Sequence, residues 1–219
     1  VYNYRMINLG VLYMTTAKTN VENEVFEDER KFLLKNDSWK SSVTSQEDIE
    51  QGYLSMVDNK VTVKQENGDF FLNIEMDNGT GLFVFERILS EREYKALSEN
   101  LYRDKKVLRI RKLDNTLILT IKIDVGIVGR QIEVERELLK AEYDYMLPLA
   151  LTFVSKIRNN VYYEGKLFQI DEFRANNEGK VVAEVELDDI NDTITLPDWI
   201  GEEVTHDESY SNYSLSKNK

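Results

Sequence analysis

The sequence predicts a mainly β, α+β fold of antiparallel strands with two accessory helices. Three observations carry that expectation. Apolar and polar residues alternate with period two along most of the chain, so one face of each segment is marked for burial. Turn residues punctuate the alternation at Asp58-Asn59, Asn67-Gly68, Asp77-Asn78-Gly79, Asp114-Asn115, Glu164-Gly165 and Asn176-Asn177-Glu178-Gly179. Only two stretches carry helical spacing. Connections this short join neighbouring strands in opposite directions.

Taken in chain order, the alternation predicts strands at Glu24–Leu34, Ile49–Ser55, Lys60–Gln65, Asp69–Met76, Leu82–Leu89, Val107–Lys112, Thr116–Ile123, Gln131–Leu138, Asn159–Tyr163, Lys166–Phe173 and Lys180–Leu187. Ser90-Glu91-Arg92-Glu93 is a capping box that opens a helix over Glu91–Asn100. A second helix is expected over Lys140–Lys156, with Leu139, Tyr143, Met146, Leu147, Ala150 and Phe153 as its apolar face and Pro148 as a kink. The polar stretch Thr205–Lys219 reads as a loose tail. Residues 1–20 read as an extension outside a domain of 21–219, with Met14 a plausible start. Arg5 and the apolar run after it resemble a signal peptide only faintly, since Asn8 and Gly10 interrupt the run.

Composition narrows the chemistry. Lys plus Arg is 28 and Asp plus Glu is 40, a net charge of −12, which argues against a general nucleic-acid or anionic-membrane binder. Cys is 0 and His is 1, so disulfides, thiol catalysis and Cys-ligated zinc are excluded and His206 reads as a surface residue. Any metal would be held by oxygen, which points to Mg, Mn or Ca. No apolar run approaches the roughly 18 residues of a membrane span, and the expected location is cytoplasmic. Trp39 and Trp199 read as packing residues.

Two internal copies of one pattern are visible. Val61-Thr62-Val63-Lys64 matches Leu108-Arg109-Ile110-Arg111, and Phe71-Leu72-Asn73-Ile74-Glu75 matches Ile118-Leu119-Thr120-Ile121-Lys122. Phe85-Glu86-Arg87-Ile88-Leu89 matches Val134-Glu135-Arg136-Glu137-Leu138, and Glu93-Tyr94 matches Glu142-Tyr143. Residues 56–104 therefore read as a degenerate duplicate of 105–150, expected to cap an opening or to build an interface between copies of the chain.

Charge is sorted along the strands. Glu27, Glu29 and Lys31 share one face, as do Arg109 with Arg111, Glu133 with Glu135, and Glu184 with Glu186, while their alternates are largely apolar. On a solvated face like charges side by side gain nothing. Turned into the lumen of a closed barrel, carboxylates would bind hard divalent cations and Arg and Lys would grip a polyanion. Eight or more antiparallel strands suffice to close such a barrel.

These residues resemble a known pattern. Glu27-Asp28-Glu29-Arg30-Lys31 is similar to the Glu-x-Glu-x-Lys signature of the CYTH, or triphosphate tunnel metalloenzyme, superfamily, in its bacterial, tripolyphosphatase-like form. The resemblance continues through Trp39, Gln51-Gly52-Tyr53-Leu54-Ser55, Arg109-x-Arg111, Lys122, Arg130, Glu133-x-Glu135, Lys156-Ile157-Arg158, Ile170-Asp171-Glu172-Phe173, Glu184-Val185-Glu186 and a closing segment from Pro197 to Leu215. It implies a closed antiparallel eight-stranded tunnel barrel with accessory helices, to which 56–104 adds a meander and a helix. It also implies metal-dependent hydrolysis of a triphosphate by in-line attack of water, with Mg2+ or Mn2+ as cofactor and inorganic tripolyphosphate as the favoured substrate; ATP or another nucleoside triphosphate is a further candidate.

Carried over position by position, the resemblance gives Lys31, Arg109, Arg111, Lys122, Arg130, Lys156 and Arg158 to the phosphates, and Glu27, Glu29, Asp171, Glu184 and Glu186 to metal. Glu29, Lys31, Glu133 and Glu135 are the expected catalytic set. Two departures stand out: Ser209 replaces a basic residue in Asp207-Glu208-Ser209-Tyr210, and the insertion is foreign to the pattern. The alternatives are a class IV-type adenylate cyclase making cyclic AMP and a non-catalytic protein that sequesters a nucleotide or polyphosphate. A homo-oligomer is compatible with the insertion.

Overall fold

In a computed structural model, which describes residues 3–7, 11–15, 25–55, 60–77 and 82–218, alternation and turn chemistry become two sheets. The strands are β1 (Asn3–Ile7), β2 (Val11–Thr15), β3 (Phe26–Leu34), β4 (Ser45–Leu54), β5 (Lys60–Glu66), β6 (Asp69–Asp77), β7 (Leu82–Leu89), β8 (Lys106–Leu113), β9 (Thr116–Ile127), β10 (Arg130–Glu137), β11 (Ala150–Tyr163), β12 (Lys166–Phe173), β13 (Val181–Leu187) and β14 (Ile200–Glu203). The helices are α1 (Glu91–Asn100), α2 (Lys140–Met146) and α3 (Asn212–Leu215). Glu164-Gly165 shows how the hairpins are made: both residues have positive φ, 47° and 81°, which matches the right-handed twist of β11 and β12. The predicted turn at Asp58-Asn59, the Asn78-Gly79 part of its counterpart, and Met56 and Val57 of the insertion lie outside the described residues.

The larger sheet runs β10-β9-β8-β4-β11-β12-β13-β3, and β3 pairs back onto β10, so eight antiparallel strands close into the expected barrel. Strand β14 attaches to the side of β3. The smaller sheet runs β1-β2-β7-β6-β5, all antiparallel except the parallel pair β2–β7. Residues 3–7 and 11–15 of the expected extension thus add strands to this second sheet; the rest of the extension lies outside the described residues.

The insertion stands against the flank of the barrel. Leu72, Ile74, Met76, Phe85 and Leu89 of the small sheet, with Ala96 and Leu97 of α1, form one buried cluster with Leu108, Ile110, Leu119, Ile121, Ile123, Ile132 and Val134 of β8–β10. Strands β8–β10 are therefore covered on their outer face by apolar contact and turn their charged residues inward. The two matched segments make the same local contact at their helix starts. Arg87 bonds Glu93 at 2.8 Å, and Glu93 accepts the Ser90 N–H at 2.7 Å; Arg136 bonds Glu142 at 2.9 Å, and Glu142 accepts the Leu139 N–H at 2.7 Å. In both copies one buried glutamate caps its helix and holds an arginine from the preceding strand.

Two local expectations are corrected. The second helix ends at Met146 rather than Lys156: Pro148 falls in a 3₁₀ turn, Leu147–Leu149, and β11 begins at Ala150. Ala150 and Phe153 fit helical spacing, but Leu151 and Phe153 also fit a strand, and backbone pairing with β4 decides the matter. Gly52 makes room, since a Cβ there would lie 3.0 Å from the Phe153 ring. The tail is not loose. Leu215 is buried against Tyr53, Val154, Phe173 and Val182, Asn177 donates to the Leu215 carbonyl at 2.9 Å, and the Thr152 and Ser216 hydroxyls bond at 2.8 Å. Its polar composition is spent on capping: Ser211 accepts from Ser214 N–H and Asp207 from Ser209 N–H. Trp39 and Trp199 are buried, and Trp199 meets Phe168 edge-on at 5.4 Å.

Phe85 is fully buried, and the Arg136 guanidinium lies over its ring at 4.3 Å. Phe85→Ala should cost about 3–5 kcal/mol of unfolding free energy, read from urea denaturation. Lost cooperativity between insertion and barrel should appear with it, because one core serves both.

Candidate functional site

Alternation along eight tilted strands decides what enters the lumen. Glu27, Glu29 and Lys31 project from β3, Gln51 and Tyr53 from β4, Arg109 and Arg111 from β8, and Lys122 from β9. Glu133 and Glu135 come from β10, Arg158 from β11, Gln169 from β12, and Glu184 and Glu186 from β13. Together they line a cavity of about 710 Å³, with Asn212 and Tyr213 of the closing segment at its edge. A smaller opening of about 340 Å³ shares Glu27, Glu133, Glu135 and Glu186, and Glu93 of α1 reaches it.

The charges pair along the lumen wall, between adjacent and next-but-one strands. Lys31 bridges Glu29 at 2.8 Å and Glu184 at 2.7 Å. Lys122 bonds Glu27 and lies 2.5 Å from Glu133. Arg109 contacts Thr120 at 3.1 Å, Glu135 at 3.3 Å and Glu133 at 3.5 Å, and Arg111 reaches Glu135 at 3.0 Å. Arg158 is held by Asp171 at 2.8 Å through two nitrogens, by Glu184 at 2.6 Å and by Gln169 at 2.7 Å. Donors remain: Nε of Arg109 and Nε of Arg111 are buried with no hydrogen-bond partner among the described residues. A buried guanidinium N–H without a partner is an opening for an anion's oxygen.

Three of the expected residues sit elsewhere. Lys156 and Asp171 share the strand faces of Arg158 and Gln169 but are fully buried and do not line the cavity; they bond to each other, with Lys156 also donating to Asn212 Oδ1 at 3.0 Å. Arg130 is at the cavity edge, but its fork grips Asp28 at 2.6 and 2.5 Å, with Asp189 at 3.4 Å. Conversely, Gln51, Tyr53, Thr120, Gln169, Asn212 and Tyr213 were not singled out from the sequence as site residues. The signal for Gln51, Tyr53 and Thr120 lay in the alternation, since each lies two residues from another lumen residue on its strand, and Gln169 shares the strand face of Asp171.

Burial and neighbouring charge divide the carboxylates. Burial pushes Glu27 up, and the nearby Glu133 adds to it against the pull of Lys122. Burial likewise raises Glu186, helped by Glu27 and Glu133. Burial also acts on Glu135, but a hydrogen bond with Glu133 and the charges of Arg111 and Arg109 outweigh it and bring the group down to about 2. Glu184 falls well below its usual value despite burial, because Lys31, Lys156 and Arg158 surround it. Burial opposes the charge on Lys31 and Lys122, yet their carboxylate partners win and raise both. Lys156 is the exception: burial and the charge of Arg158 bring it down to about 8.

The carboxylate oxygens suit a hard cation. Burial makes Glu27 and Glu186 resist ionisation and neighbouring negative charge adds to it; a divalent ion would stabilise their charged forms. Among the described residues no three of His, Cys, Asp and Glu are gathered into a ready cage. Mg2+ commonly takes one or two carboxylates and completes its shell with water and phosphate oxygens, so the donor set still fits. Among the described residues no helix is long and apolar enough to cross a membrane.

Glu135 gives a pH test. Its folded pKa lies below its unfolded value, so the stability it contributes is present above the unfolded pKa of roughly 4.3 and lost as pH falls toward 2. Glu135→Gln should flatten that portion of the acid limb in urea-unfolding midpoints and leave the remaining pH dependence in place.

Comparison with known proteins follows the same lines. An inorganic triphosphatase of Acetivibrio thermocellus is 38% identical over 141 residues, 60% of this chain and 90% of that protein. An inorganic triphosphatase of Nitrosomonas europaea is 26% identical over 115 residues, 50% of this chain and 74% of that protein. The crystal structure of the inorganic triphosphatase NE1496 superposes with a TM-score of 0.49 at 22% identity, over 87% of this chain and 93% of that one. No protein-family model matches the chain.

Proposed function

This chain belongs to the CYTH, or triphosphate tunnel metalloenzyme, family, and on that footing we propose that it hydrolyses a linear triphosphate inside the barrel, inorganic tripolyphosphate first among candidates. The observation that carries the proposal is the lumen itself. Basic groups with unfilled donors share a closed cavity with carboxylates. Two relatives named inorganic triphosphatase support the same reading.

Lys31, Arg109, Arg111, Lys122 and Arg158 would neutralise the phosphate oxygens by exchanging their carboxylate partners for the substrate. Asp171 and Gln169 fix the fork of Arg158 in readiness, and Lys156 anchors Asp171 and the closing segment. Glu27, Glu29, Glu184 and Glu186 would hold Mg2+ or Mn2+. When bound, such an ion offsets charge on the transferring phosphoryl group and makes water a better nucleophile. Water attacks the terminal phosphorus in line, the bridging P–O bond breaks, and orthophosphate and pyrophosphate result. The proton of the attacking water passes to a lumen carboxylate, Glu29 or Glu133. Glu135, held near 2 by its arginines, is too weak a base and serves as their counter-ion.

One observation favours a second reading. Ile127 and Val128 are exposed at the cavity edge beside Val107 and Tyr213. The uncharged part of an organic triphosphate would rest there, as in a nucleoside triphosphatase or an adenylate cyclase.

Phosphate release from tripolyphosphate and ATP, each with Mg2+ and with Mn2+, tests the proposal. Turnover should vanish when the metal is chelated. Glu29→Gln should lower kcat by about 100-fold or more, and Lys122→Ala should raise KM by at least about tenfold. A cyclic nucleotide product, or tight binding without turnover, would replace the hydrolase reading; unchanged kinetics in both variants would show that the lumen is not where the reaction occurs.

A further inference from the structure

The barrel closes through a narrow seam. Strands β3 and β10 pair only from Arg130↔Asp28 through Gln131↔Glu27 to Ile132↔Phe26, whereas β10 pairs with β9 from Arg130 to Glu137. Beyond those pairs the Glu29 N–H donates to the Gly129 carbonyl at 2.7 Å and the Glu133 N–H to the Val25 carbonyl at 3.0 Å. The strands meet so closely that a Cβ at Gly129, whose φ is +80°, would lie 2.5 Å from the Glu29 carbonyl oxygen. This seam carries Glu27 and Glu29 on one side and Glu133 and Glu135 on the other.

Two side-chain links cross it. On the lumen side Lys122 joins Glu27 to Glu133. Alternation turns Asp28 and Arg130 away from those residues, and there Asp28 accepts from Nε and Nη2 of Arg130. A ligand treats the two links differently. Phosphate oxygens that engage Lys122 would draw that cation from Glu27 and Glu133 and loosen the lumen-side link. The Asp28–Arg130 pair borders the main cavity through Arg130 and the smaller opening through Asp28, but its fork is already filled by its own two hydrogen bonds.

We propose that Asp28 and Arg130 are positioning residues that hold the β3–β10 seam closed while Lys122 is given over to substrate, so that Glu27 and Glu29 stay aligned with Glu133. The kinetic arm of this inference rests on the hydrolase reading; the seam itself does not. Bidentate Arg–carboxylate pairing suits the task because it fixes orientation as well as distance.

The test compares Asp28→Asn, Arg130→Met, Arg130→Lys and the Asp28→Asn/Arg130→Met double variant in the full chain. Both single losses should lower kcat by about tenfold or more with KM within about threefold, and the double variant should be no worse than the worse single. Arg130→Lys should fall between, since an ammonium cannot make the fork. An Arg130 that binds phosphate predicts the reverse: a raised KM in Arg130→Met and a lowered one in Asp28→Asn, where the fork is freed. That result would overturn the proposal. Amide hydrogen exchange without substrate gives an independent arm: the Glu29 N–H should exchange about tenfold or more faster in Asp28→Asn and Arg130→Met. Unchanged exchange would overturn the clamp whatever the turnover. Accelerated exchange in a chain whose wild type releases no phosphate would keep the clamp and remove the hydrolase.

Discussion

Charges confined to a closed lumen must be paired, and that constraint organises the protein. Few waters can reach side chains such as Arg109 and Glu184, so each must find its counter-ion on another strand. Salt bridges therefore run along the lumen wall from β8 and β9 to β10, from β9 to β3, and from β3 and β11 to β13. The pairs both stabilise the empty barrel and stand in for the ligand. A polyphosphate that enters meets cations whose desolvation is already complete, and it exchanges one set of charge-assisted hydrogen bonds for another. Burial in the same lumen leaves Glu27 and Glu186 reluctant to ionise, and a divalent ion would stabilise their charged forms.

Strands that carry charge inward need apolar cover outward. On one flank Phe32, Phe168, Ile170 and Val185 pack around Trp39 and Trp199. On the other flank the cover is the inserted sheet, whose Ile74, Met76 and Phe85 meet the outer residues of β8–β10. The wall that holds Arg109, Arg111, Lys122 and both β10 glutamates is thus braced by residues from a segment that lends Asp104 to the lining of the main cavity and Glu93 to that of the second opening. Paired arginine–glutamate locks at the starts of α1 and α2 support a common origin for the two meanders. Their faces have diverged: one keeps its cations for the lumen, while the other pairs Lys64 with Glu86 in its own sheet.

Much of this was legible. Period-two alternation marked strands such as β6, β12 and β13 within a residue or two, because a half-buried sheet imposes that period on sequence. It also marked which residues share a face, so the sign-sorted pairs Arg109/Arg111 and Glu184/Glu186 pointed to a lumen before any strand was placed. Illegible were the features set by competition between local and distant contacts. Residues 150–156 fit both helical and strand spacing, and hydrogen bonds to β4 chose the strand. The closing segment looked like a tail because its anchors, Leu215 and Asn212, act against strands distant in sequence, β4, β11, β12 and β13.

What the sequence determined alone was inventory and periodicity: the absence of Cys, the sorted charges, the capping boxes and the direction in which each strand faces. Tertiary structure decided which charge meets which. Arg130 and Arg111 are the same side chain with the same fork, yet one is turned from the lumen onto Asp28 and the other is turned into it onto Glu135. Lys156 and Lys122 differ likewise, one fully buried against Asp171 and one lining the cavity. The physical reason is that the period of a strand specifies a face, while barrel closure, tilt and register specify the neighbour across the gap. Only the neighbour determines whether a buried ion is a structural strut or a hand held out to a substrate.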